Sequence, residues 1–334
     1  MTAALLRIAS RVLLLALVTV FTAAPDKARA QTDDAANYPN RTIKIVVGFA
    51  AGGGNDIIAR IIGQKLQDAL GQTIVIENKP GAGGTLAGAY VMTQPADGYT
   101  LLVGAAGAMA ISPAIYEKMP YQTLKDFVPV SMIAAFPLVL VTSPQHPSKT
   151  VQELIAWMKA NPDKSNYATS SPAFTLATEL FKLKTGAPGV AIPYKSSNES
   201  VVSIISQQSL LTIADPPPTA PQIKGGQLRG LAVMAPRRLP DLPDVPTIDE
   251  AGVSGVHISL WSGIFAPTGT PPAVVKKLEG EFRRMVQMPD VQEKFRAMAT
   301  GLVGNTSEEF ARIIASETNT WRDVAKQANL KFEQ

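Results

Sequence analysis

From residue 42 onward the chain alternates short apolar runs with amphipathic stretches. Residues 42–47 are apolar and β-rich and predict a strand. Residues 55–70 place Ile57, Ile58, Ile61, Ile62, Leu66, Ala69 and Leu70 at the i, i+3, i+4 spacing of one helical face. Asn55 or Asp56 stands where an N-cap belongs, and Gly71 where a helix-ending glycine belongs. A strand at 73–77, a helix at 84–94 and a strand at 99–103 follow, the last entered through the Asp97-Gly98 turn. A β-α-β-α-β run of this kind favours a mostly parallel, doubly wound sheet.

The pattern continues. Residues 128–141 are apolar and β-rich but interrupted by Pro137. Helices are predicted at 151–160, 175–184 and 200–207, and strands at 166–169, 191–194, 210–214 and 228–234. The strand at 210–214 is closed by Asp215 and the run Pro216-Pro217-Pro218, which should stiffen that edge. Residues 237–246 form an extended loop with prolines at 240, 243 and 246. Residues 258–266 return to strand character, and 273–286, 289–300 and 307–327 read as helices. Two α/β units and a C-terminal helical cluster are therefore expected. One unit should comprise 36–138 with 259–334 and the other 139–258. The chain should cross between them near Phe136-Pro137 and near Leu260.

The first thirty residues stand outside this pattern. Arg7 and Arg11 precede an apolar core of about ten residues, and Ala28-Arg29-Ala30 has the small-x-small form of a signal-peptide cleavage site. Residues 1–30 are thus expected to direct export and to be removed near Ala30. The apolar run is too short to span a bilayer, which takes about 20 residues. The full chain carries a formal +4. Residues 1–30 hold Arg7, Arg11, Lys27 and Arg29 against Asp26, so the remainder is close to neutral, at +1. Nothing in that balance calls for nucleic acid or an anionic membrane as partner. Cys is absent, which excludes a disulfide framework and thiol chemistry.

Catalytic readings meet a shortage of suitable groups. The two histidines are His146, in a turn-like Gln-His-Pro stretch, and His257, beside a strand. There is no HExxH, no Cys pair and no G-x-S-x-G elbow. No catalytic residue, metal ligand or cofactor is therefore expected. Gly52-Gly53-Gly54 lies between a strand and a helix, as phosphate loops do, but lacks the following Lys and a Mg²⁺-binding Ser or Thr. Its backbone N–H groups, at a helix start, suit a carboxylate better than a triphosphate. The alternative is a tight βα turn with no ligand. Three further loops occupy equivalent positions at strand ends: Gly104-Ala105-Ala106-Gly107-Ala108, Thr169-Ser170-Ser171 and Lys195-Ser196-Ser197-Asn198. Ligands of open α/β sheets bind outside the carboxyl ends of the strands. These small and hydroxylic loops suit a small polar anion.

Several motifs in order then carry a resemblance that spans almost all of the chain after residue 30. They are Tyr38-Pro39, VVGFAAGGGNDIIAR at 46–60, ENKPGAGGTLA at 77–87, DGYTLL at 97–102, LKDFVPV at 124–130, PYKSS at 193–197, GGQLRGLAV at 225–233, LPDVPTIDEAG at 242–252 and WSGIFAPTGTP at 261–271. The sequence resembles the substrate-binding proteins of tripartite tricarboxylate transporters, the Bug-type periplasmic solute-binding family. The resemblance implies a two-lobed periplasmic-binding-protein type II fold, each lobe a mostly parallel sheet flanked by helices. It implies a monomer without enzymatic activity that captures a di- or tricarboxylate, an acidic amino acid or an aromatic acid and presents it to membrane permease subunits. A sensor docking on a membrane histidine kinase is the alternative within the same fold.

Carried over residue by residue, the ligand-binding positions are Phe49, Ala50, Ala51, Gly52, Gly53, Gly54, Asn55 and Asp56 in the first loop. Ala105, Ala106 and Gly107 follow in the second. Thr169, Ser170, Ser171, Thr175, Ser196 and Asp215 come from the other lobe. The sequence departs from the family where Ser171-Pro172-Ala173-Phe174 is stiffer and bulkier, where Ser196 replaces a frequent Gly, and at the triple proline. Phe174 either limits pocket depth, stacks on an aromatic acid or packs at a helix start. Lys195 either pairs with a distal carboxylate, pairs with Glu199 or is solvated. Asp215 either meets a ligand amine or hydroxyl or is structural.

Overall fold

The computed structural model describes residues 37–327, so the expected export segment lies outside the described residues. Among them, no helix is long and apolar enough to cross a membrane. The strands sort into two sheets. The first contains β1 (Ile43–Val47), β2 (Ile74–Asn78), β3 (Thr100–Ala105), β4 (Phe127–Pro137), β10 (Ser259–Pro267) and β11 (Gly301–Leu302), in the order β11-β4-β10-β3-β1-β2. The second contains β5 (Val139–Thr142), β6 (Asn166–Thr169), β7 (Val190–Pro193), β8 (Leu211–Ala214) and β9 (Arg229–Val233), in the order β7-β6-β8-β5-β9. The apolar run at 128–141 is thus two strands in two sheets, divided at Pro137-Leu138.

Both sheets are mixed, which corrects the expectation of mostly parallel pairing. β1 pairs in parallel with β2 and β3, and β6 with β7 and β8. β10 pairs antiparallel with β3 and β4, and β5 antiparallel with β8 and β9. The parallel halves are the strands joined by helices. The antiparallel halves are the strands through which the chain leaves one sheet for the other and returns. Such crossings free a strand from βαβ connections and let it enter in the opposite sense.

The helices follow from their residues. α1 (Gly54–Leu70) buries Ile58, Ala59, Ile62 and Leu66 along one face. It ends at Gly71, whose φ of 65° lets its N–H return to Gln67 O. α2 (Thr85–Met92) starts after a 3₁₀ turn at Ala82–Gly84. The loop 104–108 continues into a π-helical turn, Gly107–Ile111, then the short α3 (Ser112–Ile115), and α4 (Thr123–Asp126) leads into β4. α5 (Val151–Ala160), α6 (Pro172–Thr185) and α7 (Ser197–Ile205) are capped by the hydroxyls of Thr150, Ser171 and Ser196. α8 (Pro216–Lys224) begins on the triple proline. The sequence pattern had not shown this helix, because three prolines read as a breaker. The first turn of a helix needs no N–H from those positions, so they are admitted there.

α9 (Pro272–Met285), α10 (Pro289–Ala297) and α11 (Ser307–Gln327) return to the first sheet. Phe310 of α11 packs on Trp261 and Phe265 of β10, with ring centroids 5.0 and 5.2 Å apart. Gly263 makes room for it: a Cβ there would lie 2.3 Å from Phe310 Cζ. The second sheet has its own core, built from Val139, Val141, Ala168, Val201, Ile204 and Val233 among others.

Candidate ligand-binding site

The strand-end loops named from the sequence meet. The loop after β1 touches the loop after β7: Ala50 N–H donates to Lys195 O at 3.2 Å, and Gly54 N–H to Ser197 Oγ at 3.3 Å. The loop after β2 touches the start of α6, where a Cβ on Gly83 would lie 2.3 Å from Pro172 Cδ. Gly83 has a φ of 62°, a conformation that glycine adopts without strain. The turn after β3 touches α6 as well, through Gly107 and Ala173.

Between these contacts lies a cavity of about 490 Å³. Of the residues expected at the site, Phe49, Thr169, Ser170, Ser171 and Thr175 line it. Gly48, Pro80, the loop 81–84, Tyr116, Pro172, Pro193, Tyr194 and Lys195 complete the lining. The glycine-rich 81–84 loop had been visible as a motif but had no assigned role; positive φ at Gly81, Gly83 and Gly84 curls it against the cavity. Tyr116 gave no signal in the sequence, since only the fold brings it there. Much of the wall is apolar, formed by Phe49 and three prolines.

The polar side of the cavity is hydroxylic. Thr169 Oγ1 and Thr175 Oγ1 lie 3.0 Å apart and 3.3 and 3.1 Å from Ser171 O, so their two protons are shared among these three contacts. Ser170 Oγ is buried and has no hydrogen-bond partner among the described residues. Among the described residues of the lining, Lys195 is the only charged one and none is an acid. The Lys195 backbone N–H is held by Glu199 Oε2 at 3.0 Å, while Glu199 N–H is received by Ser196 Oγ at 3.3 Å.

The remaining expected residues sit beside the cavity rather than in its wall. The Gly52–Gly54 loop does not present free donors, which corrects the sequence expectation. Gly52 N–H donates to Asp56 Oδ2 at 2.9 Å, Gly53 N–H to Ala50 O at 3.4 Å and Gly54 N–H to Ser197 Oγ. A following acid four residues on competes with any ligand for the first of these, because it is part of the chain. Asp56 is almost fully buried and also receives Arg60 Nε and Asn78 Nδ2 at 2.8 and 2.9 Å. Burial pushes its carboxyl up, and the hydrogen bonds from Arg60, Gly52 and Asn78 overcome that and hold it below the usual aspartate range. Asn55 Oδ1 receives Ser262 Oγ at 2.7 Å, fastening α1 to β10. Ala51 is exposed, Ala106 and Gly107 are buried, and Ala105 pairs with Ser262 in the sheet. Ser196 is fully buried as the cap of α7. Phe174 is buried at the start of α6 and outside the lining, which favours packing over ligand stacking. Asp215 is buried against Gly54 and outside the lining.

Comparison with known proteins identifies the family of the chain. Residues 58–330 match the model of the tripartite tricarboxylate transporter family receptor. Protein BugT of Bordetella pertussis is 35% identical over 323 residues, covering 96% of this chain and 98% of that protein. Among solved structures, the R. palustris protein Rpa4515 with adipate has a TM-score of 0.84 at 34% identity, covering 88% of this chain and 99% of that one. MatC from Rhodopseudomonas palustris with bound malate has a TM-score of 0.82 at 30% identity, covering 86% and 99%. These neighbours share the two-lobed fold of periplasmic binding proteins, and the family is one of solute-binding receptors rather than enzymes. The chain belongs to the tripartite tricarboxylate transporter receptor family, in which the Bug proteins also stand.

Proposed function

We propose that the protein is an exported receptor that captures an organic carboxylate in the cavity between the two sheets and delivers it to the permease subunits of a tripartite tricarboxylate transporter. The observation that carries this reading is the lining itself: Ser170, with its buried and unpartnered hydroxyl, and Lys195 share the lining with Phe49 and three prolines, and no acid is among the described lining residues. A hydroxyl donating to a carboxylate gives a charge-assisted bond, and a cation at the rim adds attraction. The relatives solved with adipate and malate support the same class of ligand.

The lining also narrows the class. An acidic amino acid brings an ammonium group, and no carboxylate lines the cavity to receive it. A tricarboxylate brings three negative charges to one lysine. The apolar wall and the volume favour a mono- or dicarboxylate with a hydrocarbon or aromatic body. Residues 36–138 with 259–334 form one lobe and 139–258 the other, with the hinge at Pro137-Leu138 and near Leu260. The protein acts as a monomer, and residues 1–30 direct export and are removed near Ala30.

A thermal-shift screen tests the reading, since a ligand that binds only the native state raises the melting temperature. Adipate and benzoate are expected to stabilise the protein more than aspartate or citrate, and their amides not at all. Equal shifts for an acid and its amide would sink the proposal.

A further inference from the structure

Among the described residues, Asp56 and Asp215 are buried carboxyls outside the cavity lining, and of the two only Asp215 has an oxygen without a hydrogen-bond partner. It is 1% exposed, and its Oδ1 has no hydrogen-bond partner among the described residues. Its place follows from two features of the sequence. As the residue before α8 it stands at an N-cap, where an aspartate normally accepts the N–H of the second or third helical residue. Here those residues are Pro217 and Pro218, which have no N–H, and the side chain caps nothing on its own helix. Across the cleft, α1 begins at Gly53-Gly54, so its N-cap has no side chain to offer. The carboxyl denied its own helix is aimed at the helix that has no cap.

The fit between them is close. A Cβ on Gly54 would lie 1.7 Å from Asp215 Oδ2 and 2.8 Å from its Cγ. Only glycine at the first residue of α1 leaves room for the carboxyl. Ser197, beside it, accepts the N–H of Gly54. The partial positive charge at the start of a 17-residue helix offsets part of the cost of burying a carboxyl there. Asp215 belongs to the second sheet's helices and Gly54 to the first sheet's, so the contact exists only while the two bodies are together.

We propose that Asp215 is a positioning residue for ligand capture: by seating its carboxyl against Gly54 at the start of α1, it holds the two lobes in the closed arrangement that encloses the cavity. The inference rests on the proposed receptor function for what closure serves, but the contact can be tested without any ligand. Burial pushes the Asp215 carboxyl up to about 6, against the opposing pull of Ser197. Relative to a solvated carboxyl in an open form, this burial favours the neutral acid, so seating Asp215 is easiest where it is protonated and is opposed by the ionised carboxylate as the pH rises through about 6.

Most charged groups on the elements around Asp215 are already engaged, Asp68 of α1 and Lys294 of α10 being the others. On α1, Asp56 pairs with Arg60 and Lys65 with Asp290 of α10. On α10, Arg296 pairs with Glu293. Glu199 of α7 receives Lys195 N–H, and Lys224 at the far end of α8 donates to Ala297 O.

The absence of native Cys allows two spin labels to be placed by Gln64→Cys on α1 and Leu183→Cys on α6, both exposed. Electron–electron distances are then measured from pH 4 to 8, without ligand and with adipate as probe. At pH 4, where the Asp215 carboxyl is neutral, Gly54→Ala and Asp215→Ala are expected to lower the closed-to-open ratio at least tenfold. Asp215→Asn, which keeps the shape and an acceptor oxygen, should restore the closed distance and abolish its pH dependence between 4 and 6. Circular-dichroism melts identify any variant that fails to fold. Distance distributions of both alanine variants that superimpose on the wild type without ligand would overturn the proposal, as would an Asp215→Asn protein that titrates like the wild type. Failure of adipate alone to shift the distances would count against the ligand class and leave the ligand-free contact as the deciding result.

Discussion

Ser170→Ala should move stability and binding in opposite directions. Ser170 Oγ is buried in the cavity wall without a hydrogen-bond partner among the described residues. Such an orphaned group costs about 1–3 kcal/mol of desolvation in the unliganded protein. Removing the hydroxyl recovers part of that cost, less a small loss of packing. The unliganded variant should then melt higher, by roughly 2 °C for each kcal/mol recovered. A carboxylate seated in the cavity gains a hydrogen bond from this hydroxyl worth about 1.5–3 kcal/mol. Its loss corresponds to roughly 10- to 100-fold weaker binding, at about 1.4 kcal/mol per tenfold. Thr175→Val is the control. Its hydroxyl already donates to Ser171 O, so its removal should lower the melting temperature. Scanning calorimetry without ligand and titration calorimetry with the best acid from the screen give both readings. A Ser170→Ala protein with unchanged affinity would refute the assignment of that hydroxyl to the ligand, whatever its stability.

Three further outcomes follow from the same geometry. Gly83→Ala places a Cβ 2.3 Å from Pro172 Cδ, a ring that cannot swing aside as a flexible chain would, in a backbone conformation that costs Ala about 1–2 kcal/mol. It should weaken carboxylate binding at least tenfold while the fold survives, and wild-type affinity in titration calorimetry would contradict the cavity wall described. Gly263→Ala drives a Cβ to 2.3 Å from Phe310 Cζ and should cost about 1–3 kcal/mol by overpacking, read from the urea midpoint; no change would show that α11 packs elsewhere. Because Asp56 is held below the usual aspartate range, its contribution to stability is present above that range and lost as the pH falls through the lowered value. Asp56→Asn should flatten this acid limb in melts between pH 2 and 5, and an identical limb in both proteins would remove Asp56 as its source.

What the sequence made legible depended on whether the cause was local. α1, with its 3.6-residue apolar spacing and terminal Gly71, lies where the pattern placed it, within one residue at the start. The strands β1, β6 and β8 are equally plain, because short apolar runs bounded by turn residues leave few alternatives. α8 was hidden because Pro216-Pro217-Pro218 signals a break unless the prolines fall in the first turn of a helix, which only the structure decides. The mixed pairing of the sheets was hidden because strand direction depends on where the chain crosses between bodies. At the candidate site, the strand-end loops named from the sequence do come together around one cavity. The donors within them were not legible, since Asp56 and Ser197 take N–H groups of the glycine loop through contacts that tertiary structure creates. Tyr116 and the turn at 81–84 enter the cavity for the same non-local reason.

The most direct test of carboxylate capture between the two sheets is a crystal structure of the protein grown with the acid that gives the largest thermal shift. The account predicts density for that acid in the cavity bounded by Phe49, the 81–84 loop and Thr169–Ser171, with a carboxylate oxygen within hydrogen-bond distance of Ser170 Oγ. An acid bound elsewhere, or seated in the cavity with its carboxylate turned away from Ser170 and Lys195, would contradict it.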